Sequence, residues 1–152
     1  MKIHQQLFFI LSFLFLSCEL QGQDQQLISQ LVSQYDQFKE PSLNKRRIKH
    51  EDIGPLIEQL KQTTHVEVQT LGHSIEGRSI HLLSMGSGDT SVFLWSQMHG
   101  DEPTATQAIF DILNFFTDAT VHEEKTRMLE KLRIHFLPLS AQVSHAECPE
   151  GG

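Results

Sequence analysis

Val92-Phe93-Leu94-Trp95-Ser96-Gln97-Met98-His99-Gly100-Asp101-Glu102-Pro103, followed by Ala105, Ala108, Ile109, Ile112, Leu113 and Phe116 at helical spacing, reads as strand, polar turn and helix. The unbroken apolar run from Val92 to Trp95 is the pattern of a strand buried on both faces, which predicts a central strand. Pro103 suits a first helical turn, where its missing N–H costs nothing. Asp101 and Glu102 fall where the positive end of the helix dipole favours carboxylates.

Working outward, Gly86-Ser87-Gly88-Asp89 is a turn before this strand. Alternating stretches at Val66, Val68 and Gly72 and at Ile80 to Met85 predict two strands around the irregular turn from Gly72 to Ser79. Ile53, Leu56, Ile57 and Leu60 predict a helix ending near Gln62, with Pro55 in its first turn. Leu27, Ile28, Leu31, Val32, Tyr35 and Phe38 predict an amphipathic helix over 24–38, and Pro41-Ser42 breaks that pattern. Downstream, a charged helix from about His122 to Leu132 leads to a strand at Ile134, Phe136 and Leu137 that ends at Pro138. Strands alternating with helices define the class as α/β.

The composition is that of a globular domain: 152 residues, 39% apolar, 20% charged and 8% aromatic. Twelve basic against nineteen acidic side chains, with no basic stripe, argue against a nucleic-acid partner. The cluster Lys45, Arg46, Arg47 and Lys49 reads as a solvated surface run. Lys2, the apolar stretch Leu7 to Leu16 and Ser17-Cys18 form an export signal too short to span a bilayer as a helix. Leu14-Phe15-Leu16-Ser17-Cys18 is similar to a bacterial lipobox, in which Cys18 carries the lipid; cleavage near Gly22 and an uncleaved anchor are the alternatives. The expectation is an exported protein, either an envelope lipoprotein or periplasmic or secreted, with membrane contact only through Cys18.

His99 and Glu102 carry the chemistry. They lie three apart at the carboxyl end of the predicted central strand, the edge of an open α/β sheet where ligands bind. Neutral imidazole nitrogen with a hard carboxylate oxygen suits Zn²⁺, but catalytic zinc needs three protein ligands and an open position for water. In isolation such a pair also arises by chance, and helix capping would account for Glu102.

Gly72-His73-Ser74-Ile75-Glu76-Gly77-Arg78-Ser79-Ile80, then a glycine turn, an apolar strand and His99-Gly100-Asp101-Glu102-Pro103-Thr104, closely resemble the amino-terminal third of the zinc carboxypeptidases of the M14 family. The resemblance spans roughly residues 50 to 138. It implies a three-layer α/β/α sandwich around a mixed sheet, incomplete in this chain. It also implies that His99 and Glu102 are the first two ligands of one Zn²⁺. In that family zinc activates the water that attacks the last peptide bond of a peptide or protein substrate. A later histidine completes the metal site, a later glutamate is the general base, and arginines hold the substrate carboxylate. The resemblance supplies no counterpart of those later groups here, so no catalytic residue is assigned and the chain by itself is expected to be inactive. Arg78 is expected to be a packing or ion-pair residue, and Asp101 stands where digestive members carry arginine, so substrate preference does not carry over.

After Leu139 the resemblance is lost. The expected organisation is a signal over 1–17, a tether and helix over 18–50, the amino-terminal part of a carboxypeptidase-like domain over 51–139, and a divergent, disordered tail over 140–152, as in a truncated or frame-disrupted product. In that tail His145 and Cys148 are not counted as ligands, and the other histidines have no partner at a persuasive spacing. Two alternatives remain: a zinc amidohydrolase resembling the aspartoacylase and desuccinylase group, and a non-catalytic envelope protein that binds a partner.

Overall fold

The computed structural model describes residues 25–26, 28–99, 102–119 and 123–139. The signal with Cys18, Gly100 and Asp101, and the 140–152 tail lie outside them. The chain divides into two compact units, Met1–Gln37 and Phe38–Gly152. In the first, residues 28–37 lie in helix α1 (28–38), as the periodicity predicts, with Ile28, Val32 and Tyr35 exposed.

Among the described residues, the second unit holds a four-stranded mixed sheet of Glu67–His73 (β1), Ser79–Met85 (β2), Thr90–Trp95 (β3) and Leu132–Leu137 (β4), in the order β1-β2-β4-β3. Strands β1 (Glu67–His73) and β2 (Ser79–Met85) form the expected antiparallel hairpin. Its turn closes through Ser74 N–H to the Arg78 carbonyl at 2.8 Å and Gly77 N–H to the Ser74 carbonyl at 2.9 Å. Gly77 sits at φ 76°, which only glycine adopts freely. Arg78 pairs with Glu76, so it is an ion-pair residue as expected.

Strand β3 (Thr90–Trp95) leads through α3 (Pro103–Thr117) and α4 (Glu123–Lys131) to β4 (Leu132–Leu137), which pairs parallel to β3. Among the described residues β3 is an edge strand, not the central strand its composition suggests. Only its alternate residues Val92 and Leu94 pack on the core, whereas Phe93 and Trp95 are about half exposed and stack on each other at 5.6 Å. Burial on one face is satisfied by every second apolar residue, so the unbroken run carried less information than it appeared to.

All strand residues of the core, including Leu83, Met85, Ile134 and Phe136, alternate onto one face of the sheet. That face meets Ile53, Ile57 and Leu60 of α2 (His50–Leu60) and Ile109, Phe110, Leu113 and Phe116 of α3. Helix α2 starts a turn earlier than expected, which places Pro55 inside it. The earlier start is set by Asp52, whose carboxylate accepts the Lys49 N–H at 2.8 Å and the Lys45 ammonium at 2.5 Å. Helix α3 is rotated from the expected face: Thr106 and Phe110 are buried, while Ile112 is exposed. Asp111 is buried as well, accepting the Glu40 N–H at 2.7 Å.

Candidate metal centre

Strand β3 delivers the chain to the carboxyl edge of the parallel pair, where Ser96 N–H extends the ladder to the Leu137 carbonyl at 3.2 Å. There the backbone kinks. Gln97 adopts φ 49°, a left-handed conformation that costs a side chain with a Cβ free energy. The following turn carries Met98 and His99, and Glu102 stands at the N-cap position of α3.

The two sequence-predicted ligands come together. His99 Nδ1 and Glu102 Oε1 are 3.4 Å apart, and both side chains are mostly exposed, at 72% and 63%. Among the described residues the Glu102 carboxylate makes no capping bond to α3, so the capping explanation of this glutamate fails. No third histidine, cysteine, aspartate or glutamate joins them among the described residues. A groove of about 760 Å³ lies at the opposite edge of the sheet, lined among others by Glu67, Met85, Lys125 and Arg133. It touches neither His99 nor Glu102, and the placement of the pair at the carboxyl edge is the stronger guide to chemistry.

Sequence reasoning missed what lies beneath the turn. Ser96, Gln97 and Thr106 are each at most 3% exposed and are bonded to one another. Ser96 Oγ and Thr106 Oγ1 are 2.8 Å apart, the Thr106 hydroxyl donates to Gln97 Oε1 at 2.8 Å, and Gln97 Nε2 donates to the Ile48 carbonyl at 3.0 Å. The signal was present: Thr106 falls on the same helical stripe as Ile109, Phe110 and Leu113, and a hydroxyl there needs a buried partner.

The zinc carboxypeptidase (peptidase M14) family model matches residues 55–141, more than half of the chain. The chain belongs to that family. Solved structures agree on the fold. A metallo-carboxypeptidase from Burkholderia cenocepacia matches with a TM-score of 0.53 at 17% identity, over 60% of this chain and 26% of that one. The metallo-carboxypeptidase from Pseudomonas aeruginosa in complex with (2-guanidinoethylmercapto)succinic acid matches with a TM-score of 0.54 at 23% identity, over 61% of this chain and 26% of that one. The chain thus spans about a quarter of the length of these structures. Comparison with curated proteins gives no match.

Proposed function

We propose that this chain supplies the first two zinc ligands, His99 and Glu102, of a metallocarboxypeptidase that removes carboxyl-terminal residues from peptides. The observation that carries the reading is the 3.4 Å separation of His99 Nδ1 and Glu102 Oε1. Two donors on one tetrahedral zinc, each about 2.0 to 2.2 Å from the metal, lie about 3.4 Å apart. Membership of the zinc carboxypeptidase family and the position at the carboxyl edge of β3 and β4 support the same assignment. When bound, zinc supplies a Lewis acid that polarises a carbonyl and makes water nucleophilic near neutral pH. His99 contributes a neutral nitrogen and Glu102 a negative oxygen; the open exposure of both leaves room for a peptide terminus to approach.

Two ligands hold zinc weakly. With only His99 and Glu102 assigned as ligands, the chain is expected to bind zinc without turning over peptide. The test is a zinc titration of the full chain followed by NMR, alongside an assay of amino-acid release from peptides with a free carboxyl terminus. His99 resonances should shift with zinc in the wild type, and His99→Ala should lose that response. Zinc-dependent peptide cleavage by these residues alone would overturn the inactive reading, and cleavage of N-acyl amino acids would assign the amidohydrolase instead. For the amino terminus, the signal over 1–17 and the lipobox-like Leu14-Phe15-Leu16-Ser17-Cys18 support export with lipid attachment at Cys18. Radiolabelled palmitate should be incorporated by the wild type and not by Cys18→Ala.

A further inference from the structure

We propose that Ser96, Gln97 and Thr106 are positioning residues for the His99 and Glu102 pair, acting through a one-way chain of buried hydrogen bonds that holds the kink between them and β3. This rests on the reading of His99 and Glu102 as ligands.

The direction of the chain follows from counting donors. The Thr106 hydroxyl has one proton and gives it to Gln97 Oε1, so it accepts from Ser96. The Ser96 hydroxyl, its proton committed to Thr106, accepts the Leu139 N–H at 3.3 Å. Gln97 then passes the series on through Nε2 to the Ile48 carbonyl. The donations run in one direction along the series, and the orientation of the Gln97 amide agrees with both of its partners, Thr106 and the Ile48 carbonyl. Such a chain over-determines the left-handed Gln97 backbone, which an unsupported glutamine would leave. Releasing it lets the turn relax, and with it the common placement of His99 and Glu102, whose side chains are mostly exposed. Thr106 lies in α3, whose N-cap position is Glu102, so one hydroxyl ties the two ligands' supporting elements together.

The experiment compares Thr106→Val, which keeps shape and removes the hydroxyl, with Thr106→Ser, which restores it. The full chain is titrated with Zn²⁺ by NMR, and ¹⁵N relaxation of Met98 and His99 is measured without metal. Thr106→Val is expected to weaken zinc binding about tenfold, the range for a residue that orients a ligand. It is also expected to raise the mobility of Met98 and His99. Thr106→Ser should return both to wild-type values, a rescue that loss of packing alone would not give. Unchanged affinity and unchanged relaxation in Thr106→Val overturn the proposal. If wild type and His99→Ala respond to zinc alike, the ligand reading fails, and the metal-free relaxation still decides whether the chain holds the turn. Should Thr106→Val not fold, Ser96→Ala deletes a smaller link and is judged by the same two readouts.

Discussion

Two strands leave the sheet at opposite edges, and they are secured by different means. At the end of β3 the turn is held by side chains: Ser96, Gln97 and Thr106 bond through hydroxyl and amide groups. At the end of β2 the turn is held by backbone. Ser87 N–H and Gly88 N–H donate to the Leu129 and Leu132 carbonyls at 2.9 and 3.3 Å, closing the carboxyl end of α4 where it passes straight into β4. Gly86, at φ 81°, and Gly88 lie so close to this junction that a Cβ on either would run into the backbone of Lys131 or Leu132. A backbone seam is intolerant of side chains at its glycines. A side-chain seam can be adjusted residue by residue, and that is the seam beneath the turn that carries His99.

The contrast breaks most sharply at the glycines. Gly86→Ala or Gly88→Ala should cost about 3 kcal/mol or more, from overpacking against immovable backbone and, at Gly86, from left-handed strain. Urea unfolding of each variant measures it. Thr106→Val should cost less, about 2 kcal/mol, because it strands the buried Ser96 proton and Gln97 oxygen. Equal losses at Thr106 and at the glycines would erase the distinction.

Asp52 sharpens it further, as a side-chain anchor at the helix start. Bonds from Lys45 and the Lys49 N–H hold its carboxyl below the ordinary value of 3.8. The folded state therefore binds its proton less readily than the unfolded chain. Its stabilisation is full above the ordinary value and is lost as pH falls through the lowered one. Asp52→Asn should cost about 1 kcal/mol at neutral pH, and the difference from wild type should shrink in acid melts. The smallest effect belongs to His99→Ala. With a mostly exposed side chain, it should change stability by less than about 0.5 kcal/mol while removing the response to zinc.

Much of this was legible in the sequence because it rests on periodicity and spacing. Helix α3, the hairpin and the convergence of His99 with Glu102 each follow from a local pattern that tertiary contacts reinforce. Position within the sheet was not legible, since Val92 to Trp95 would read alike in a central strand or in an edge strand with Phe93 and Trp95 on an open face. The face of α3 was missed for a related reason. Of the expected apolar face, Ile109, Leu113 and Phe116 are buried but Ala105, Ala108 and Ile112 are exposed, and Thr106 is buried instead because its hydroxyl is satisfied by residues ten and nine positions earlier. The kink at Gln97 was hidden too, because nothing in a glutamine announces a left-handed backbone that distant carbonyl and hydroxyl groups impose.

The hydrogen-bond chain beneath the turn joins residue 48, residues 96 and 97, residue 106 and residue 139, so two of its links span 49 and 43 residues. The kink at Gln97 is thus a product of long-range closure, and its shape is deferred in time. During synthesis Ser96 and Gln97 leave the ribosome well before Leu139, and until that amide docks the chain lacks its last donor. Contacts of such separation form late, after local helices and the β1–β2 hairpin. His99 and Glu102, three residues apart, acquire their common distance only when the second unit has closed around them.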